Sequence, residues 1–188
     1  MIFSVLFDAN VFYPAPLRDL LIELAYTGLF KAWWTKEIDE EWLRNLLKNR
    51  PDLSEAKLRN TISMMHQAVP DCLVTDYQDL IPSLTLPDKN DRHVLAAAIK
   101  SHSQVIVTHN LKDFPPSSLQ KYNIEALSPD DFLMHQIDLH KSAVIVSLRS
   151  CRKRLKNPPK TIEEYLQTLE AQGLIKFVAE AREFGHIL

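Results

Sequence analysis

The chain has 188 residues, 46% hydrophobic and 24% charged, with a formal net charge of −2. That length suits one domain with an appendage and supports a real core. The near-neutral balance leaves any nucleic-acid binding to a local basic patch rather than to the charge sum. Only three glycines occur, Gly28, Gly173 and Gly185, which excludes a Walker loop and a dinucleotide fingerprint. Phosphate handling would then need another device, such as metal ions.

Cys72 and Cys151 stand alone, without partners at metal-ligand spacing. A reduced, intracellular setting is expected. The N-terminus lacks the signal-peptide pattern and no apolar run approaches a membrane span, so a soluble, cytoplasmic protein is the expectation.

In chain order, residues 2–7 are short, apolar and β-rich, and read as a buried strand ending at Asp8. Pro14 and Pro16 punctuate a loop and open a helix carrying Leu17, Leu20, Leu21 and Leu24, with Gly28 as its stop. Residues 29–34 predict a second strand. Thr35 caps a helix through Leu47. Another helix is predicted from Ser54 to Gln67, then a short strand at Cys72–Thr75. A proline-framed loop ends in Asp88-Lys-Asn-Asp91 and opens an apolar helix, His93–Ile99. Val105–Thr108 and Ile124–Leu127 are the remaining strands, and 130–136 a short helix.

Strands alternating with helices imply an α/β fold with a parallel sheet covered on both faces. The pattern changes near residue 138, which divides the chain into 1–137 and a helical extension, 138–188. There Val144, Leu148, Cys151 and Leu155 form one stripe. Pro158-Pro159 breaks the helix, Thr161 and Glu164 spell a capping box, and a last helix passes Phe177, Val178 and Ala181.

The acidic and amide residues fall beside predicted strand ends and helix starts: Asp8 and Asn10, Glu40 and Glu41, Asp88 and Asp91, Asn110 and Asp113. In a parallel sheet such loops share one edge. Carboxylates brought together there repel, and a divalent cation removes the difficulty. Hard oxygen ligands with little His or Cys suit Mg2+ or Mn2+ rather than Zn2+. Each residue also has a purely structural reading. Asp8, Asn110 and Asp113 suit turns, Asp88 and Asp91 suit a helix N-terminus, and Glu40 and Glu41 suit a solvated face. The helical wheel does not separate Glu40 from Glu41. Asp39 lies nearer the apolar arc, and the sequence alone gives no reason for it.

Three stretches resemble the PIN-domain nucleases, the fold of VapC-type toxins: Phe7-Asp8-Ala-Asn10-Val-Phe, Leu86-Pro-Asp88-Lys-Asn-Asp91-Arg-His-Val-Leu-Ala-Ala-Ala, and Val105-Ile-Val-Thr108-His-Asn110-Leu-Lys-Asp113-Phe. Ile38-Asp-Glu-Glu41-Trp-Leu adds to them and favours Glu41 over Glu40. The resemblance covers about residues 1–135, and the C-terminal part looks like the helical extension of one VapC-like branch. It implies a three-layer α/β/α sandwich and a metal-dependent endoribonuclease, the toxin of a type II toxin–antitoxin pair, with a cognate antitoxin and a homodimer as partners. Carried over, Asp8, Glu41, Asp91 and Asp113 form the acidic quartet, and Asp88 and Asn110 assist the metal. Asn10 and Thr108 orient ligands. Asn110 stands where many relatives have aspartate, which weakens a second metal site.

RNA needs positive charge for its phosphates. The run Arg149-Ser-Cys-Arg152-Lys153-Arg154-Leu-Lys156, five basic residues in eight with no acid, is the candidate surface, with a solvated helix face as its other reading. Arg18 and Arg92 lie near the acidic loops, to position phosphate or to pair with an acid. Trp33, Trp34 and Trp42 read as core. A phosphatase using Asp8 as nucleophile ranks lower, because Asn10 stands where an acid is needed. The alternative from another class is a PIN fold that binds RNA or a partner without cutting it.

Overall fold

The computed structural model describes residues 3–185. Strands β1 (Ser4–Phe7), β2 (Lys31–Trp33), β3 (Val105–Val107) and β4 (Glu125–Leu127) are all parallel, in the order β2-β1-β3-β4. Val5 stands between Ala32 and Val105. Val5, Leu6, Phe7 and all of β3 are fully buried. Both faces of the sheet are therefore covered, as continuous apolar runs require.

Connections explain how. The crossover from β1 to β2 moves one way across the sheet; the crossover from β2 to β3 moves the other way. Constant right-handedness then puts their helices on opposite faces. The first connection holds α1 (Ala9–Phe12) and α2 (Ala15–Tyr26). The second holds α3 (Lys36–Asn49), α4 (Glu55–Ala68) and α5 (Arg92–Lys100); α5 packs on β1 and β3 on the other face, while α3 and α4 pack against α1 and α2. Short α6 (Pro116–Leu119) precedes β4. Helix α7 (Pro129–Arg154) returns to pack along α2, and Phe132 meets Phe7 edge-on at 5.9 Å. The architecture is the α/β/α sandwich expected, with added C-terminal helices α8 (Ile162–Glu170) and α9 (Ile175–Glu183).

The caps are where the sequence puts them. Thr35 accepts from the Ile38 N–H, Ser54 from Lys57, and Thr161 with Glu164 closes a capping box. Gly28 and Gly173 have φ of 77° and 88°, the left-handed region that ends a helix cleanly. Asp39 is also explained. It is buried, and its carboxylate meets the His66 imidazole at 2.8 Å, tying α3 to α4.

Two expectations need correction. Cys72–Thr75 forms only a bridge, Leu73 beside Trp34, because Asp71 and Asp76 take positive φ on either side and end the extended stretch. One turn of helix, α1, starts directly after Asp8 where a loop was expected. The helix predicted for 130–136 corresponds to the part of α7 that precedes a kink at His140, where φ is −145° and ψ 47°. The boundary placed at residue 138 falls inside α7, two residues before His140, where the backbone leaves helical geometry. Apolar side chains of α7, α8 and α9 join the same buried cluster as the sheet. No helix among the described residues is long and apolar enough to cross a membrane.

Candidate active site at the carboxyl edge of the sheet

β1 and β3 are neighbours, yet the chain leaves them toward opposite faces. This is a topological switch point, where the loops part and leave a crevice beyond the strand ends. Asp8 follows β1 at this point and Thr108 follows β3. The two are tied together. The Asp8 N–H donates to the Val107 carbonyl at 3.1 Å, and the Thr108 hydroxyl donates to Asp8 Oδ2 at 2.7 Å. Asn10 Nδ2 donates to the same Oδ2 at 2.7 Å and lies 2.9 Å from Thr108 Oγ1. The Ala9 N–H donates to Oδ1 at 2.7 Å. Asn10 Oδ1 and Thr108 Oγ1 in turn accept the backbone N–H groups of His109 and Asn110, each at 3.0 Å. One hydrogen-bonded lattice therefore fixes the Asp8 carboxylate and aims the loop carrying Asn110.

Asp8 is 4% exposed, and burial raises its pKa against the pull of Thr108 and the Ala9 N–H. Asp91 is half-buried at the start of α5, and its pKa is pushed up to about 7. Burial is the largest cause, followed by the charges of Asp8, Asp88, Asp113 and Glu41. Carboxylates from the four predicted segments thus act on one group. Asp88 itself caps the short 3-10 turn Lys89–Asp91, accepting the Asn90 N–H at 2.8 Å.

Glu41 rather than Glu40 faces this group. Glu41 and Asp91 together line two adjoining clefts. Glu40 also reaches one of them, but its carboxylate is held by Arg59 at 2.7 and 3.2 Å. His93 Nε2 lies 3.5 Å from Glu41, and Nδ1 lies 3.8 Å from Glu37. Burial opposes protonation of His93, but the neighbouring Glu41, Glu37 and Asp8 outweigh it and raise its pKa. The Tyr77 hydroxyl donates to Glu37 at 3.0 Å and steadies the outer end of this chain of groups.

The donor set is oxygen-rich and anionic, with His93 as the imidazole at its side. Among the described residues, no three His, Cys, Asp or Glu side chains stand close enough to enclose an ion by themselves. A magnesium-type ion does not require that, since it keeps several waters and takes one or two carboxylates directly. The uncompensated repulsion at Asp91 is the observation that fits a hard divalent cation. Asp8, Glu41 and Asp91 are the residues that could hold it.

Residues 4–112 match the family model described as PIN domain, more than half of the chain. The chain belongs to the PIN-domain family. Residues 129–183 match a second model, the VapC50 C-terminal domain. The chain is similar to a protein of Mycobacterium tuberculosis (strain ATCC 25618 / H37Rv) named "Putative ribonuclease VapC50", with 43% identity over 106 residues. The match covers 56% of this chain and 62% of that relative, so it spans about three fifths of the relative's length. No solved structure matches the chain.

Not every candidate residue lies at the PIN edge. Arg18 is buried, donates to the Phe12 carbonyl at 2.8 Å and stacks over Trp42, so it supports the core. Trp34 and Trp42 are fully buried, as expected of core residues. In the basic run, Arg154 is bound to Glu23 of α2 at 2.6 Å and Arg152 donates to the Lys160 carbonyl. Arg149 and Lys153 are exposed and share a shallow depression with Val146 and Ser150. Arg44 lines one of the acidic clefts and Tyr13 and Asn49 the other, with Asn45 lining both, and the sequence reading passed over all four. Their signal was present. Asn45 and Asn49 stand four and eight residues after Glu41, on the same side of α3.

Proposed function

We propose that the protein is a divalent-metal-dependent endoribonuclease that hydrolyses RNA phosphodiester bonds, and the toxin of a type II toxin–antitoxin pair. The observation that carries this reading is the convergence of carboxylates from four chain segments on Asp91, at the switch point of a PIN sheet. The VapC likeness of the C-terminal residues supports the toxin assignment, a cognate antitoxin, a homodimer and a cytoplasmic location.

Mg2+ or Mn2+ held by Asp8, Glu41 and Asp91, with Asp88, Asn110 and Asp113 assisting, would supply Lewis-acid chemistry: a more acidic water and charge neutralisation at phosphorus. The chain's own residues do the positioning. Thr108, Asn10 and the Ala9 N–H hold Asp8 in one orientation, so its carboxylate loses no freedom on binding. His93 holds Glu41 toward Asp91. Burial and the neighbouring carboxylates push Asp91 up to about 7, so it is the carboxylate whose ionised form a bound cation would favour most. Arg44 attracts the RNA backbone to the rim, and Arg149 and Lys153, with Arg152 and Arg154, offer a second basic stretch farther along the chain.

Purified protein should cleave RNA with Mg2+ or Mn2+ and stop on addition of EDTA. The Asp8→Asn variant should be inactive while folded, and cleavage at the wild-type rate by that variant would sink the mechanism. Metal-independent retention of RNA without turnover would favour the binding-module alternative. Growth arrest on expression, relieved by a small protein from the neighbouring reading frame, tests the toxin assignment.

A further inference from the structure

The two clefts on either side of Glu41 and Asp91 differ in chemistry. The first, of about 400 Å3, is lined by Arg44, Asn90 and His93 beside the acids. The second, of about 370 Å3, lies between α1 and α3 and brings Tyr13, Asn45 and Asn49 next to Asp8 and Asn110. No Lys or Arg is among the residues lining this second cleft. Asn45 lines both clefts, so it stands at the ridge between them.

Tyr13, Asn45 and Asn49 offer a phosphate no cation, so the scissile phosphate belongs with the carboxylates that would hold the metal, not with these three side chains. A neutral, planar, hydrogen-bonding group suits them. Asn49 Nδ2 donates to the Tyr13 hydroxyl oxygen at 3.0 Å. That bond leaves the Asn49 carbonyl oxygen as an acceptor and the Tyr13 O–H as a donor, side by side. It also pre-orients both groups, so little ordering is left for a ligand to cause. Carboxamides are the side chains suited to reading a base edge that carries a donor beside an acceptor, and a phenol ring adds a face for stacking. The volume suits a nucleobase, and the carboxylate edge beside it is where the sugar-phosphate would be cut.

We propose that Tyr13, Asn45 and Asn49 form a base-recognition subsite for one unpaired RNA nucleobase adjacent to the scissile phosphodiester. Arg44, across the ridge, takes the neighbouring backbone phosphate. The proposal rests on the nuclease reading above and adds to it the residues that set sequence preference.

The test uses short single-stranded RNAs that differ only in the base on either side of the cut. Wild type should prefer one base at one of these positions. Asn45→Ala, Asn49→Ala and Tyr13→Phe should each lower the ratio of kcat/KM between best and worst base, by about tenfold for the amides, whatever happens to the absolute rate. Arg44→Ala should instead slow all RNAs alike and flatten the salt dependence, as loss of a phosphate contact does. Thermal melts confirm that the variants fold. A wild type indifferent to both flanking bases would overturn the subsite, as would an unchanged ratio in all three variants. Binding of the same RNAs to the Asp8→Asn protein, read by fluorescence anisotropy, tests the subsite without turnover. Base-dependent affinity that vanishes on adding Asn45→Ala and Asn49→Ala supports it even where wild type cuts nothing, a result that counts against the nuclease reading alone. Affinity equal for every base overturns the subsite.

Discussion

The carboxyl edge of the sheet and the C-terminal helices treat the same side chains in opposite ways. At the edge, burial and four neighbouring carboxylates push Asp91 up to about 7. In the C-terminal helices, acids are held below their usual range by partners. Arg182 bridges Glu163 and Glu170 at 2.9 Å, Thr161 binds Glu164, and Lys176 binds Asp131 at 2.6 Å. Asp130 accepts the backbone N–H groups of Lys176 and Phe177, at 3.0 and 2.9 Å, where α9 begins. Carboxylates that the chain itself satisfies serve the fold. Carboxylates it crowds together await something from outside.

The sharpest way to break that contrast is to neutralise one member of each set. Asp91→Asn should lower kcat/KM by more than about 100-fold, since loss of even an outer-shell partner costs about 10–100-fold at a metal centre. The same change removes repulsion, so the melting temperature of metal-free protein should hold or rise. A drop of several degrees would show that Asp91 supports the fold after all. Asp130→Ala should do the reverse. It strips two donors at a helix start of their acceptor, costing about 2 kcal/mol, or a fall of about 4–8 °C in Tm for a chain of this size. Activity per folded molecule should survive. Loss of activity at intact stability would place the C-terminal helices in the catalytic cycle.

Thr108→Val sits between the two regions in character and in size. Its hydroxyl donates to Asp8 and accepts from the Asn110 N–H, so it belongs both to the sheet edge and to the site. Valine keeps the shape and leaves a buried carboxylate oxygen short of a donor. The expected cost is about 1 kcal/mol in stability, with about a tenfold loss in kcat/KM from a looser Asp8. Denaturant melts and single-turnover cleavage separate the two. A stability loss with unchanged turnover would reduce Thr108 to a strand-end fastener.

These contrasts also mark how far the sequence could be read. Strand β1, the caps at Thr35, Ser54 and Thr161, and the acids at strand ends were legible, because each depends on near neighbours in the chain. Asp39 was not, because its partner His66 lies 27 residues away on another helix. The ion pair of Arg154 was equally hidden, because its partner Glu23 lies 131 residues away. Asn45 and Asn49 carry no motif beyond their spacing from Glu41, and their place became plain when α1 and α3 enclosed a cleft. The division of α7 was legible as well, since the short helix read at 130–136 stops before His140, where the backbone leaves helical geometry.

The smallest effect is a pH dependence on the satisfied side of the comparison. Hydrogen bonds from Lys176 and Ser128 hold the Asp131 carboxyl below its ordinary range. A depressed carboxylate contributes stability that is fully present above its unfolded value, about 3.9, and is lost as pH falls through the lower folded value. Lys176→Met should therefore be slightly less stable than wild type at pH 7, by a margin that shrinks with added salt because the pair is partly exposed. Denaturant titrations taken stepwise into acid should show the two proteins converging as Asp131 protonates in wild type. A gap that stays constant with pH would mean that the Lys176 stem, packing along α9, matters more than its charge, and the acids of this region would then owe their low pKa to an arrangement the fold does not need.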